Sequence, residues 1–443
     1  MLTREENELL CRVSGEAPMG QMLRRYWVPA VQSRDLEAGG APRRVQLFGE
    51  DLVAFRDDAG QVGLLDEYCP HRGASLVLAR NEDCGLTCIY HGWRIAADGT
   101  VLETPAEPED SEFRQRVKHL SYPVREVGGL VWTYLGPAAL EPTFPAFGWT
   151  EYPGEQRCII QMREECNWVQ CLEGVIDSAH SSFLHSMEIQ PAAERSVLNG
   201  SSRFDQQGAA AVRRPSNDKR PRLEAQNTDY GFRYAAIRKP IQDPDRHKYV
   251  RTTLFVAPFY SFFPAPEGWT AWQAFVPMDD EHTMFFYVQV NRTAPVDEDR
   301  LRTFAGARLG VDLDGEYRKV RTRANNFLQD RAAMKRNVSY SGIFGVQGQD
   351  IAVQESMGPL YDRTREHLGA SDVAVIRMRR LMLDSVRRFQ AGGTPLGLER
   401  PFPYARLAAE ERFIPIETPW QTVGAFAGEP TESTESAAAH AAG

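Results

Sequence analysis

The chain has 443 residues, 42% hydrophobic and 25% charged. That is an ordinary globular composition, long enough for two or three domains around a large core. A net charge of −9 argues against a nucleic-acid partner, and no apolar run long enough to span a bilayer exists. The opening Met1-Leu-Thr-Arg-Glu-Glu-Asn-Glu is acidic and amphipathic rather than a signal peptide, and the seven cysteines have no disulfide-like spacing. A cytoplasmic protein with no membrane association is expected.

In chain order, Arg4 to Val13 is expected to be a helix, followed by the apolar stretch Met22-Leu-Arg-Arg-Tyr-Trp-Val-Pro. From Arg43 to about Pro137 short strands are expected. Val45–Phe48 and Leu52–Phe55 flank a turn at Gly49-Glu-Asp, and Gly63-Leu-Leu-Asp, Arg94-Ile-Ala and Gly129-Leu-Val-Trp-Thr-Tyr follow. Pro137 to Pro153, rich in Pro, Gly and aromatics, reads as a connector. Beyond it, Cys158-Ile-Ile-Gln-Met-Arg-Glu-Glu reads as a strand leading into a helix, and the runs at 230–237, 249–256 and 283–290 as strands. Tyr317 to Lys335 and Asp372 to Ala391 read as helices. The expected class is α+β: a helical segment at 1–40, an all-β domain at 41–150, and a larger domain at 151–428 with an antiparallel sheet flanked by helices. A low-complexity, disordered tail is expected at 429–443.

Two metal-ligand patterns stand out. Cys69-Pro-His71 and Cys88-Ile-Tyr-His91 are short hooks in turn-forming stretches, each offering one sulfur and one imidazole. Four such ligands could close a zinc tetrahedron. Zinc hooks usually pair like with like, however. A mixed hook lets both sulfurs hold one iron and both imidazoles the other, as in a Rieske [2Fe–2S] centre. Cys84, beside Gly85, would break the hook symmetry and reads as a turn residue.

The second pattern runs from Asn167-Trp through Glu173 and Asp177 to His180 and His185. On one continuous helix Glu173, Asp177 and His180 would share a face. His185 would lie about 140° further round, so both histidines reach one metal only if the helix is distorted or ends between them, which Ser181-Ser182 makes plausible. A non-haem Fe(II) oxygenase needs two histidines and a carboxylate, and Asp330 or Asp350 could supply the acid. Asp177 suits a supporting part, accepting from the free ring N–H of His180 to fix its tautomer. No Gly-rich dinucleotide fingerprint follows a strand.

With Cys69-Pro-His71-Arg-Gly-Ala, Cys88-Ile-Tyr-His91-Gly-Trp93 and the Asn-Trp…Glu…Asp-x-x-His-x₄-His stretch, the chain resembles the large (alpha) subunits of the Rieske non-haem iron aromatic-ring oxygenases. The Glu-Glu-Asn-Glu opening, the Gly-Ala-Ser after the first hook and Glu173-Gly174 look like the phthalate-dioxygenase branch. The resemblance implies a Rieske [2Fe–2S] cluster on Cys69, His71, Cys88 and His91, and a mononuclear Fe(II) on His180, His185 and Asp350, whose segment is similar to the family's acid-x-x-Val-x-Glu. It departs at Gly174, where many relatives carry Asn. It implies O₂ as co-substrate, a separate NADH-dependent flavin/iron–sulfur reductase, and a homotrimer or hexamer of trimers. In that trimer Asp177 would contact a cluster histidine of the neighbouring subunit, taken as His91, the exit for the electron. The implied activity is dioxygenation of an aromatic carboxylate, phthalate- or benzoate-like. The alternatives are O-demethylation of a methoxylated aromatic acid by monooxygenation at the same iron, or a Rieske electron carrier without catalytic iron. An anionic substrate calls for buried arginines. Arg251 and Arg238 lie within strand-like runs, and Arg203, Arg213 and Arg214 are loop candidates.

Overall fold

The computed structural model describes residues 2–108, 110–192, 212–265 and 268–424. Helix α1 (Arg4–Cys11) starts at a reciprocal cap in which Glu6 N–H donates to Thr3 Oγ1 (3.2 Å) and Thr3 N–H to Glu6 Oε2 (3.1 Å). Helix α2 (Pro18–Leu23) opens on proline, where no backbone donor is needed. The N-terminal segment is helical only this far, because β1 (Trp27–Gln32) is a strand.

Seven small strands follow in two groups. β2 (Arg43–Leu47), β3 (Glu50–Arg56) and β4 (Val62–Asp66) form one antiparallel sheet. β5 (Arg80–Glu82), β6 (Gly85–Thr87), β7 (Arg94–Ile95) and β8 (Val101–Glu103) form another. Between them lies a compact core of Val53, Phe55, Leu65, Leu76, Leu86, Trp93 and Ile95 that also takes in Cys69 and Cys88. β9 (Val124–Val127) and β10 (Leu130–Tyr134) then pair with β1. The opposite faces of β2, β3 and β10 join the main core instead, so the β region and the rest of the chain share apolar surface.

The larger sheet has the order β11-β19-β18-β17-β16-β15-β14, with a last strand, β20, on β16. Its members are β11 (Arg157–Glu164), β14 (Arg222–Thr228), β15 (Gly231–Arg238), β16 (His247–Val256), β17 (Tyr260–Phe263), β18 (Trp269–Pro277), β19 (Thr283–Asn291) and β20 (Glu411–Pro415). The short parallel pair β12 (Ile189–Pro191) and β13 (Val212–Arg214) stands apart. Helices α3 (Trp168–Ile176), α4 (Glu298–Ala305), α5 (Arg331–Lys335), α6 (Val346–Ser356) and α7 (Val373–Gln390) complete the fold. α3 packs against β17, β18, α6 and α7.

Two expectations need correction. No helix runs from Tyr317 to Lys335: Tyr317, Asn326, Phe327 and Leu328 have positive φ, which breaks the helical ladder and leaves a kinked 3₁₀ stretch and the one-turn α5. The helix expected to carry His180 stops at Ile176. The expected tail at 429–443 and Arg203 lie outside the described residues. No helix among the described residues is long and apolar enough to cross a membrane.

The turn between β18 and β19 sets up a pH-dependent contact. His282 Nδ1 lies 2.9 Å from Asp279 Oδ1 and its Nε2 lies 3.1 Å from Glu165 Oε2. The hydrogen bonds to Asp279 and Glu165 raise its pKa from 6.5 to about 9 against the opposing effect of burial, while Glu165 is held down to about 2. The folded value exceeds the unfolded one, so this stabilisation is complete below pH 6.5 and lost as pH rises through about 9. Glu165 does not titrate in that window. His282→Gln should therefore flatten the fall in stability across it, as read by urea denaturation at its two ends.

Candidate metal centres and catalytic cavity

The two hooks are built alike. Gly73 N–H donates to Cys69 O (2.9 Å) and Gly92 N–H to Cys88 O (2.9 Å), each glycine in the left-handed region (φ +72 and +73) that closes such a loop without strain. Both cysteines are buried, at 3% exposure, while Ile89 and Tyr90 at the second tip are exposed. The His71 and His91 ring centres are 4.5 Å apart, and His71 stacks on Trp93 at 4.9 Å with an interplanar angle of 2°. No three of Cys69, His71, Cys88 and His91 offer donor atoms all within 4.8 Å of one another. A single tetrahedral ion needs donors closer than that, since its bonds are about 2.0–2.3 Å long. Two sulfurs at one end and two imidazoles at the other suit a two-iron cluster. Cys84 sits apart in an exposed turn (φ +60).

The second set comes from three elements. Asn167 caps α3 through Val169 N–H (3.1 Å), and the helix ends with Asp177 in extended geometry. His180 begins a 3₁₀ turn, His180–Ser182, and His185 follows it. Asp350 lies on α6. His185 Nε2 is 2.9 Å and His180 Nε2 3.5 Å from the same Asp350 Oδ1. These three residues offer two imidazole nitrogens and a carboxylate oxygen all within 4.8 Å, the donor set of a non-haem iron site. Each ring is held from behind. Asp177 Oδ2 is 3.4 Å from His180 Nδ1, and His185 Nδ1 is 2.8 Å from Gln349 Oε1. Gln349 uses its Nε2 to donate to Glu188 Oε1 (2.8 Å) and Ile343 O (3.0 Å), so its Oε1 accepts from His185 Nδ1–H and leaves His185 Nε2 free to bind a metal. Sequence reasoning missed Gln349, although it adjoins Asp350.

Asp330 is elsewhere, capping α5 by accepting from Ala333 N–H (2.8 Å). Glu173 does not share a face with Asp177 and His180 toward the metal set. It accepts from Arg363 and Arg379 in the protein interior. At Gly174 an added Cβ would meet Gln354 Nε2 at 2.2 Å, so the amide of Gln354, reaching over from α6, takes the space a side chain at 174 would need.

The histidines and Asp350 line a cavity with ≈ 770 Å³ of empty space, its open mouth included. Phe275 and Phe285, stacked with centroids 4.8 Å apart, contribute to its apolar wall. Arg251 also lines it, ion-paired with Glu411 at 3.3 Å. Arg238 is buried and donates to Ser178 O (3.0 Å), its Nε and Nη1 having no hydrogen-bond partner among the described residues. Arg214 donates to Ser181 Oγ (2.9 Å) and Ser182 Oγ (3.3 Å), while Arg213 is exposed. Burial, then repulsion from Arg251, lowers Arg214 to about 9 and Arg238 to about 10.

Comparison with known proteins gives two family matches: the Rieske [2Fe-2S] domain over residues 26–123 and the LigXa C-terminal domain like family over residues 133–441. The chain is 45% identical to the oxygenase subunit of phthalate 4,5-dioxygenase from Pseudomonas putida, covering 95% of this chain and 94% of that one. It is 33% identical to the oxygenase subunit of 3-chlorobenzoate-3,4-dioxygenase from Comamonas testosteroni, over 95% and 98%. Among solved structures, the reduced complex between oxygenase and ferredoxin in carbazole 1,9a-dioxygenase matches with a TM-score of 0.53 at 20% identity, covering 89% of this chain and 98% of that one.

Proposed function

The chain belongs to the Rieske non-haem iron oxygenases as their large oxygenase subunit, and we propose that it dioxygenates an aromatic carboxylate of the phthalate class. Such subunits work with a Rieske [2Fe–2S] cluster, a mononuclear iron and O₂, and receive electrons from a separate electron-transfer protein. The iron supplies dioxygen activation, and the chain's side chains do the rest. In this reading Cys69, His71, Cys88 and His91 hold the cluster, and His180, His185 and Asp350 hold the iron.

The observation that carries the substrate class is the excess of buried cation by the cavity. Among the described residues neither Arg214 nor Arg238 has a carboxylate partner, and both are held below the ordinary arginine range. Three guanidiniums drawn together, of which Arg251 is ion-paired with Glu411, form a site for an anion, and planar forks match carboxylates. The carboxylate would lie among Arg251, Arg238 and Arg214 while the ring lies against Phe275 and Phe285. Asp177, 28% exposed at its side chain, holds His180 and faces His91 of the neighbouring subunit in a homotrimer. The electrons come ultimately from NADH through a flavin/iron–sulfur reductase. The seven unpaired cysteines fit a cytoplasmic setting.

The test is product analysis of the reduced holoenzyme with O₂ and phthalate, benzoate, methoxybenzoate and a neutral arene. A dihydrodiol from phthalate is expected, formaldehyde from methoxybenzoate would favour demethylation, and equal turnover of the neutral arene would overturn the reading. Arg251→Ala should lower kcat/KM for phthalate roughly thirtyfold, about the 2 kcal/mol of a lost charge-assisted pair, with cluster and iron content unchanged.

A further inference from the structure

Glu164, the last residue of β11, forms part of the cavity wall and has 0% of its surface exposed. Among the described residues neither of its carboxyl oxygens has a partner within hydrogen-bond geometry. The other carboxylates of the cavity are committed: Asp177 accepts from Ala179 N–H (2.6 Å) and holds His180, and Asp350 lies against both metal-site histidines. Around Glu164 stand the Cys166 and Cys171 thiols, which lie within 4.8 Å of its carboxyl and 3.6 Å from each other. The Cys171 S–H is directed to Asn167 O (3.5 Å). The nearby cation, Lys319, is ion-paired with Glu355 at 2.8 Å. Burial is the chief influence on Glu164; Lys319 and Cys171 pull against it, Glu355 and Asp350 add to it, and the outcome is a carboxyl pushed up to about 8. An ionised carboxylate in that wall would have only weak thiol donors beside it, Cys166 and Cys171, to offset the cost of burying its charge.

We propose that Glu164 is held as the neutral acid and is a proton donor of the oxygenase reaction. Dioxygenation of a ring takes O₂, two electrons and two protons, and forms two C–O and two O–H bonds. The electrons arrive from the reductase. For one O–H bond, the Glu164 O–H breaks, its electron pair stays on the carboxylate, and the proton goes to a product oxygen. The carboxylate then regains a proton, supplied in the end by bulk water, when product leaves. This rests on the oxygenase reading, but the protonation state of the resting protein does not depend on which substrate is used.

Two measurements test it on the iron-loaded holoenzyme. Infrared spectroscopy at neutral pH should show a buried protonated-carboxyl C=O band in the wild type that Glu164→Gln abolishes. Turnover of phthalate by Glu164→Gln should fall about a hundredfold, with KM near the wild-type value, hydrogen peroxide released in place of product, and partial recovery in Glu164→Asp. An ionised Glu164 at neutral pH, near-normal turnover in Glu164→Gln, or loss of iron together with activity would overturn the proposal. If the wild type does not oxygenate phthalate, the substrate reading fails while the infrared band still decides the state of Glu164.

Discussion

An Asp350→Ala protein is expected to keep its [2Fe–2S] absorption spectrum, lose its mononuclear iron and form no product. Asp350 Oδ1 faces both imidazoles, at 2.9 and 3.5 Å, and among the described residues no other carboxylate joins that donor group. Changes one layer behind a ligand typically weaken metal binding about 10–100-fold, so deleting the carboxylate of the donor group itself should cost more. The hooks at 69–71 and 88–91 belong to a separate small core, which is why their spectrum should persist. Asp330→Ala is the control. It removes a helix cap worth about 1 kcal/mol and should leave both metals and turnover intact. Iron and labile-sulfide analysis with product assay reads the pair. Retention of iron by Asp350→Ala would return Asp330, or another acid, to consideration.

The two metal centres were legible in unequal measure, for a physical reason. Each hook closes within five residues, so its residue types and its left-handed glycine are enough to read it. His180 and His185 were readable as a pair for the same reason, but the helix, expected to end between them, already stops at Ile176, and a 3₁₀ turn carries His180 instead. Asp350 lies 165 residues beyond His185, and only the family pattern, not spacing, singles it out. Arg214, Arg238 and Arg251 come from three strands, so their crowding becomes visible only when the sheet and β13 are assembled. The misread helix at 317–335 is rich in good helix formers. Its fate is decided by tertiary contacts: Tyr317 donates to Asp35 Oδ2 (2.6 Å) and accepts from Arg163 N–H (3.0 Å), which hold it at positive φ.

Glu173 was read as part of the metal face because helical spacing puts it in line with Asp177 and His180, and its true surroundings predict a different and large effect. Its carboxylate grips Arg363 with both oxygens, at 2.9 and 3.0 Å, and Arg379 at 2.6 Å. The Arg363 side chain has 0% exposure and that of Arg379 4%. Arg379 also has Glu366 (2.8 Å), but Arg363 would be left with only neutral partners, Asn7 Oδ1 at 3.2 Å and Tyr361 O at 3.4 Å among them. Removing one member of a buried ion pair costs about 3–5 kcal/mol, a large share of a typical 5–15 kcal/mol stability. Glu173→Ala should therefore lower the urea midpoint sharply, where a surface acid would change stability by about 0.5 kcal/mol or less. The network ties α3 to α1 and α7, and α3 ends four residues before His180. Iron occupancy should accordingly fall in Glu173→Ala even where the protein remains folded, while the cluster hooks keep their iron. Glu173→Gln separates charge from shape: it preserves the volume but leaves Arg363 uncompensated, and should lose most of the same stability. A midpoint unchanged in both variants would mean that the apolar faces of α3 hold it against β17 and β18 without the ion pair.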